Sequence, residues 1–171
     1  MRLTFLFLLV SASTLIAQAF PEGWLGKYAG TMEIINGENK QTVAVDFEMK
    51  ELVKDSSWTY LMVYHQPGTA AIVKDYVIKR TGTNWTFELD EKDGIVIEMR
   101  LMGNVFYDFF ETSGMFFTSR LSKEKNDLLF ELMGGMKSDY RLTSTGSSEV
   151  TSVYSYPPAF VQRVQLKKMK K

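Results

Sequence analysis

Few side chains in this sequence can carry out covalent or metal chemistry. The chain has one histidine, His65, and no cysteine, so thiol nucleophiles, cysteine metal sites and disulfides are excluded. A single histidine can ligate haem, but His65 has no second histidine with which to complete a metal site. We interpret it as a half-buried or solvent-facing residue. We therefore predict no cofactor, no metal site and no enzymatic activity.

Glu111 is the other residue whose position invites a chemical role. It belongs to segment 105–112, which is apolar on both faces of a predicted strand. An inward Glu111 would be a buried carboxylate able to pair with Arg163, whereas a position at a barrel mouth would leave it solvated. The two faces carry Tyr107 and Phe109 with Glu111, and Phe106 and Phe110 with Asp108.

The elements that must position these groups have the period of β-strands. In segment 42–50, Val43, Val45, Phe47 and Met49 alternate with polar residues, which is typical of a strand with one buried face. Similar patterns cover 26–35, 58–66, 72–79, 85–90, 95–102, 105–112, 115–121, 128–133, 139–143 and 152–167, the last broken by Pro157-Pro158. Segment 58–66 is large and apolar on both faces, so the pattern does not select its inward side.

Turn residues separate these segments and leave only short connections, which favours antiparallel neighbours. The first turn is Asn36-Gly37, a pair typical of tight hairpins. About ten such strands must close or leave two exposed edges, so we predict an all-β, single antiparallel up-and-down barrel without lid helices. A Greek-key sandwich is the alternative.

The predicted outer face of these strands is charged, which argues against a membrane barrel with its apolar exterior. The chain carries 20 Lys+Arg and 20 Asp+Glu, so it has no net field to attract nucleic acid, and no nucleic-acid partner is expected. We predict a water-soluble protein rather than an integral membrane protein. The charged alternates are Asp46, Glu48, Lys50, Glu98, Arg100, Asp108 and Arg120.

The first residues have the pattern of an export signal. Arg2 precedes an apolar stretch that ends in Ala17-Gln18-Ala19, so we predict a signal peptide over 1–19 with cleavage before Phe20. Residues 20–171 would then form one domain of roughly 150 residues, located in the periplasm or secreted. Asn84-Trp85-Thr86 matches an N-glycosylation acceptor, which matters only in a host that glycosylates exported proteins.

The sequence Trp24-Leu25-Gly26-Lys27-Tyr28-Ala29-Gly30 resembles the start of lipocalin-like barrels of the calycin group. The whole pattern is closest to uncharacterised lipocalin-like proteins exported by bacteria. In that group a first-strand aromatic residue closes the barrel bottom against a basic residue of the last strand. The resemblance implies these barrel-closing roles for Trp24, or Tyr28, with Arg163.

The resemblance does not extend to a fatty-acid site. Fatty-acid-binding proteins place two lid helices between their first two strands and carry a late Arg-x-Tyr clamp for the carboxylate. Here residues 36–40 form only a turn, and the clamp is missing from the last strand.

We therefore predict a non-enzymatic barrel that binds a small apolar molecule in its interior. Flexible methionines on the apolar faces suit such a pocket, and they suit an ordinary core equally well. The alternative is a structural or interaction module whose barrel is filled and which acts through its surface, with an unknown protein partner. The residues predicted to line the interior are Tyr28, Met32, Phe47, Met49, Met99, Tyr107, Phe109 and Phe117.

Overall fold

The fold was determined as a computed structural model that describes residues 20–146 and 150–170. The predicted signal peptide, residues 1–19, lies outside the described residues. One short 3-10 turn, Lys137–Asp139, accompanies the strands. The strands, numbered β1 to β13 in chain order, are Gly26–Asn36, Asn39–Met49, Glu51–Val53, Ser57–His65, Ile72–Arg80, Thr86–Asp90, Val96–Met102, Val105–Thr112, Met115–Glu124, Asp127–Met136, Arg141–Ser144, Ser152–Ser155 and Phe160–Lys168.

Ten of these strands form a closed antiparallel ring, which confirms the predicted up-and-down barrel. Around the ring the order is β1, β2, β4, β5, β6, β7, β8, β9, β10 and β13, and β13 returns to pair with β1. β3 pairs with the start of β4 outside the ring. Closure satisfies the backbone groups that an open sheet would expose at its edges.

Two strands stand apart from the ring as a separate hairpin. β11 and β12 pair only with each other, between β10 and the final strand. Pro157 and Pro158 lie between β12 and β13, as predicted from the inability of proline to donate to a ladder. The segment predicted as one broken strand over 152–167 is therefore two strands in different sheets.

The barrel has two different ends. At the open end, β1 turns into β2, β4 into β5, β6 into β7 and β8 into β9. The first of these turns has two residues, 37 and 38, and Gly37 adopts a φ of 59°. The closed end holds residues 20–25, which precede β1, together with the β5–β6, β7–β8 and β9–β10 turns.

Side chains fill the interior near the closed end. The ring of Phe20, the first described residue, is surrounded edge-on by four other aromatic rings. Such edge-to-face contacts are favourable because a positive ring edge meets a negative ring face. The centroid distances from Phe20 are 5.7 Å to Trp24, 4.6 Å to Trp58, 5.4 Å to Phe87 and 5.0 Å to Phe106.

Basic side chains cover this aromatic floor, but Arg163 is not one of them. The Arg80 guanidinium lies 5.3 Å from the Trp58 ring centre, and the Lys168 amine lies 5.6 Å from the centre of the Tyr28 ring. Cations over aromatic faces are attracted by the ring quadrupole. The closed end therefore uses a lysine of the last strand and an arginine of β5.

The predicted closing role of Arg163 is wrong, whereas Trp24 does lie buried in the floor. Arg163 pairs in register with Glu33 and Glu131, and its Nε atom lies 3.7 Å from the Glu131 carboxylate on the outer face. Because strand residues alternate between faces, Arg163 points outward while its neighbour Val164 points inward.

Gly30 lets β1 approach the last strand closely. The ladder between β1 and β13 is interrupted between Ala29 and Glu33. A Cβ atom at Gly30 would meet the backbone carbonyl oxygen of Gln165 and lie 2.7 Å from Val164 Cγ2. Both contacts are closer than van der Waals separation, and the backbone partner has little freedom to move.

We predict that Gly30→Ala lowers the free energy of unfolding by about 1–3 kcal/mol, the usual cost of overpacking a core. Urea denaturation followed by tryptophan fluorescence measures it. Gly146→Ala is the matched control, because a Cβ there meets nothing within 4 Å. Equal unfolding free energies of the two variants would contradict the close approach of β1 to β13 at Gly30.

Candidate functional site

A cavity of about 300 Å³ lies inside the barrel at its open end. It is bounded by residues from β4 to β10, and the aromatic floor lies beneath it at the closed end. Apolar side chains form much of its wall. They are Met62, Leu89, Ile97, Phe110, Phe130 and Leu132.

Three tyrosines from β4 and β5 form one side of the cavity. The rings of Tyr60 and Tyr76 stack, with centroids 6.4 Å apart and planes at 18°. Burial raises the pKa of Tyr64 to about 12 and raises the pKa of the fully buried Tyr60 well above its ordinary value. These hydroxyls therefore stay neutral at physiological pH and act as hydrogen-bonding groups.

A lysine and a glutamate lie on the same wall near the mouth. A hydrogen bond with Tyr76 raises the pKa of Lys74, and the nearby negative charges of Glu91 and Asp93 act in the same direction. The Lys74 amine is therefore held in its charged form.

Asp108 is the charged residue of the barrel interior. It is only 5% exposed and contributes to the cavity wall. Its carboxylate accepts hydrogen bonds from the Ser119 backbone N–H at 3.2 Å and from Ser119 Oγ at 2.5 Å. Burial raises the pKa of Asp108, and the Ser119 hydrogen bonds oppose that shift.

The barrel wall parts beside Asp108. The ladder between β7 and β8 holds only three pairs, from Arg100–Tyr107 to Met102–Val105, so the halves of both strands toward the open end are not paired to each other. A surface groove of about 590 Å³ follows this split. The groove and the cavity share Glu91, Ile97, Phe110 and Thr112 as bordering residues, so the groove runs along the outside of the cavity wall.

Most residues predicted to line a pocket are buried but do not border the cavity. Tyr28, Met32, Phe47, Met49 and Met99 belong to the packed core, and none of them contributes to the cavity wall. The period-two pattern identified the inward face of their strands. The pattern did not indicate whether an inward residue packs against other side chains or borders an empty part of the barrel interior.

Three predicted lining residues come from β8 and β9, and two of them point outward. Phe109 is 80% exposed, and Tyr107 pairs with Arg120 on the same outer face. Phe117 is half-buried and faces inward, with its ring stacked on Phe110 at 5.0 Å. Like Phe109, it also borders a groove on the barrel surface.

The error for Tyr107 and Phe109 has a simple cause. β8 is apolar on both faces, so its pattern does not specify the inward side. Pairing with β9 decides the matter, because Phe106 lies opposite the buried Leu121. Asp108, counted among the outward charges, consequently faces the interior.

His65 and Glu111, the two residues considered first for a chemical role, are at the surface. His65 is exposed, as interpreted, and its Nε2 atom lies 2.9 Å from the Asp46 carboxylate. Glu111 forms an ion pair with Lys137 and not with Arg163, because it shares the outer face of β8. Neither residue borders the cavity.

Sequence reasoning missed all the polar residues of the cavity. Tyr60 and Tyr64 lie in segment 58–66, and the sequence pattern did not determine which face of that segment points inward. The structure places Trp58, Tyr60, Met62 and Tyr64 inward. One available signal was Asp108 itself, a carboxylate that alternates with Phe106 and Phe110 on an otherwise aromatic face.

No family model and no curated protein matches this chain. Within residues 20–146 and 150–170, no group of three or more His, Cys, Asp or Glu side chains is arranged to hold a metal ion. The same residues contain no helix with the length and apolar character needed to cross a membrane.

We predict that Phe106→Ala and Phe109→Ala differ sharply in stability. Phe106 is fully buried, so its truncation should cost about 3–5 kcal/mol of unfolding free energy. Phe109 is exposed, and its truncation should change that energy by no more than about 0.5 kcal/mol. Chemical denaturation of both variants measures the difference, and the reverse order would contradict the orientation of β8.

We also predict that Asp108→Asn becomes more favourable for stability as pH rises. Because burial raises the pKa of Asp108 in the folded state, its contribution to stability is full below the unfolded pKa of about 4 and is lost as pH rises through the folded pKa. The asparagine does not titrate. The unfolding free energy of the variant minus that of the wild type should therefore increase between pH 4 and pH 7.

The matched control for this titration is Glu98→Gln on the neighbouring strand, where the carboxylate is 77% exposed. The pH-dependent change for Asp108→Asn should exceed the change for this exposed control. Equal changes for the two variants would show that Asp108 is not buried as described.

Proposed function

We propose that this protein is an exported, non-enzymatic binding protein of lipocalin-like type that holds one small molecule in the cavity at its open end. The single observation that carries the proposal is the cavity of about 300 Å³ inside the closed barrel. Its volume is at the lower end of the range of small-molecule sites, about 300–1,000 Å³. A compact ligand is therefore expected, rather than an extended lipid chain.

The distribution of polar and apolar groups supports binding. Small-molecule sites combine apolar walls with a few polar groups that fix orientation. Here aliphatic and aromatic side chains surround the tyrosine hydroxyls, Lys74 and Asp108. The expectation of a purely apolar ligand is accordingly refined to one with an apolar body and a polar end.

The lipocalin-like assignment and the export rest on the pattern of the chain. Trp24 and Tyr28, from the segment that resembles the lipocalin start, lie at the closed end, where that group places its first-strand aromatic residue. Residues 1–19 have the composition of a signal peptide. Together these features support a periplasmic or secreted carrier.

A specific surface feature favours a second candidate function, binding of a protein partner. A groove of about 410 Å³ runs along the outside of the barrel beside the proline segment before β13. Exposed apolar patches of this kind mark interaction sites in many proteins. The groove is bordered by Phe109, Phe116, Met133, Tyr156, Pro157 and Pro158.

We predict that the cavity binds N-phenyl-1-naphthylamine, a neutral apolar dye whose fluorescence rises on leaving water. Leu132→Trp should weaken this binding at least tenfold, because Leu132 borders the cavity and the larger ring would occupy it. Fluorescence titration measures the affinity, and a thermal melt verifies that each variant is folded.

The matched control is Val73→Trp, an equally apolar substitution near the open end at a side chain that is 56% exposed. It should leave dye affinity within twofold of the wild type. Dye binding that is lost in Phe109→Ala but kept in Leu132→Trp would instead assign the binding to the outer groove. No dye binding by the wild type would overturn the proposal.

A further inference from the structure

The carboxylate of Asp108 lies in the barrel interior without a positive partner. Among the described residues, every ion pair within 4.0 Å involves other acidic groups, and none includes Asp108. Its hydrogen-bond partner is the neutral Ser119, whose backbone N–H and side-chain hydroxyl both donate to the Asp108 carboxylate. A buried carboxylate without a countercharge is costly, since desolvation penalises the ionised form.

The one amine of the cavity wall does not supply that charge. Lys74 forms a hydrogen bond with Tyr76 and interacts with the carboxylates of Glu91 and Asp93. Of the charged residues that border the cavity, two are acidic and one is basic. The cavity therefore has an excess of one negative charge when its carboxylates are ionised.

Aromatic side chains border the same cavity as this carboxylate. Tyr60 interacts electrostatically with Asp108 and stacks on Tyr76, while Phe110 and Phe130 border the same cavity. Faces of tyrosine and phenylalanine attract cations, most strongly where water is excluded. Carboxylate and aromatic faces together provide two independent attractions for an organic cation.

From this arrangement we infer that the ligand is a small protonated amine, with its ammonium group against Asp108 and its apolar body among the side chains of the cavity wall. The inference rests on the proposed function and specifies the chemistry of its ligand. An ammonium group donates up to three hydrogen bonds and supplies the missing charge.

An anionic ligand is the competing chemistry, since Lys74 and the tyrosine hydroxyls can donate hydrogen bonds. An anion in a cavity of this size would be repelled by Asp108 and Glu91, whose two negative charges exceed the single positive charge of Lys74. The observations therefore favour the amine.

Three compounds of one shape test the inference: 2-phenylethylamine, 2-phenylethanol and phenylacetate, each used to displace N-phenyl-1-naphthylamine from the purified protein at pH 7. We expect the amine to bind at least tenfold more tightly than the alcohol, and the acid to bind most weakly. Asp108→Asn should weaken amine binding at least tenfold and leave alcohol binding within twofold. Glu98→Gln, an exposed acid on β7, should change neither.

A second measurement uses the wild type alone. Lowering the pH from 7 to about 4 should weaken binding of the amine but not of the alcohol. Burial raises the pKa of Asp108 above its ordinary value of about 4, so protonation removes its negative charge while the amine stays protonated. The other titratable groups on the cavity wall are Tyr60 and Tyr64 of β4, Lys74 and Tyr76 of β5, and Glu91 after β6; β7, β9 and β10 contribute none. Glu91→Gln should preserve the pH effect.

Each outcome separates the inference from the proposed function. Equal affinity for the three compounds, or a preference for phenylacetate, would overturn the amine inference and leave the cavity as a binding site. Unchanged amine affinity in Asp108→Asn would also overturn it. Absence of binding by the dye and all three compounds would overturn the proposed function itself.

Discussion

Ring closure by ten strands creates an interior that side chains fill at one end only. An eight-stranded barrel is about as wide as its inward side chains can occupy, and each added strand widens the ring. At the closed end the segment before β1 supplies the extra volume, because Phe20 and Trp24 enter the space between Trp58, Phe87 and Phe106. The described chain has no such insertion at the open end, and the cavity lies there. The candidate site is thus a consequence of strand number and of the packing of residues 20–25 into the closed end.

The location of the polar groups in the cavity depends on this difference between the packed closed end and the open end. At the closed end an unpaired carboxylate would lie among packed rings with no room for a partner. Asp108 instead lies two residues along β8 from the buried Phe106, where the packed floor gives way to open space. The same strand parts from β7 near this point. The position of one carboxylate therefore links the packing of the barrel to the charge of its cavity.

The sequence predicted the strands well because their signal is local. Alternation in β2 and the turn at Gly37 depend on near neighbours, and the structure has both. The candidate site was much less predictable. Segments β4 and β8 are apolar on both faces, so the side that faces inward depends on their pairing with β2 and β9 and not on their own pattern. The outward direction of Arg163 follows in the same way from the register of β13 against β10.

By itself, the sequence determined the all-β class, the positions of most strands and the absence of cysteine chemistry, because composition, period and turn residues are properties of short segments. Only the tertiary structure decided which face of β8 is inward, that Lys168 and Arg80 cover the aromatic floor, and that Asp108 borders a cavity without a positive partner. The physical reason is that closure brings distant strands together, and the contacts between them decide whether an inward side chain meets packed neighbours or empty space.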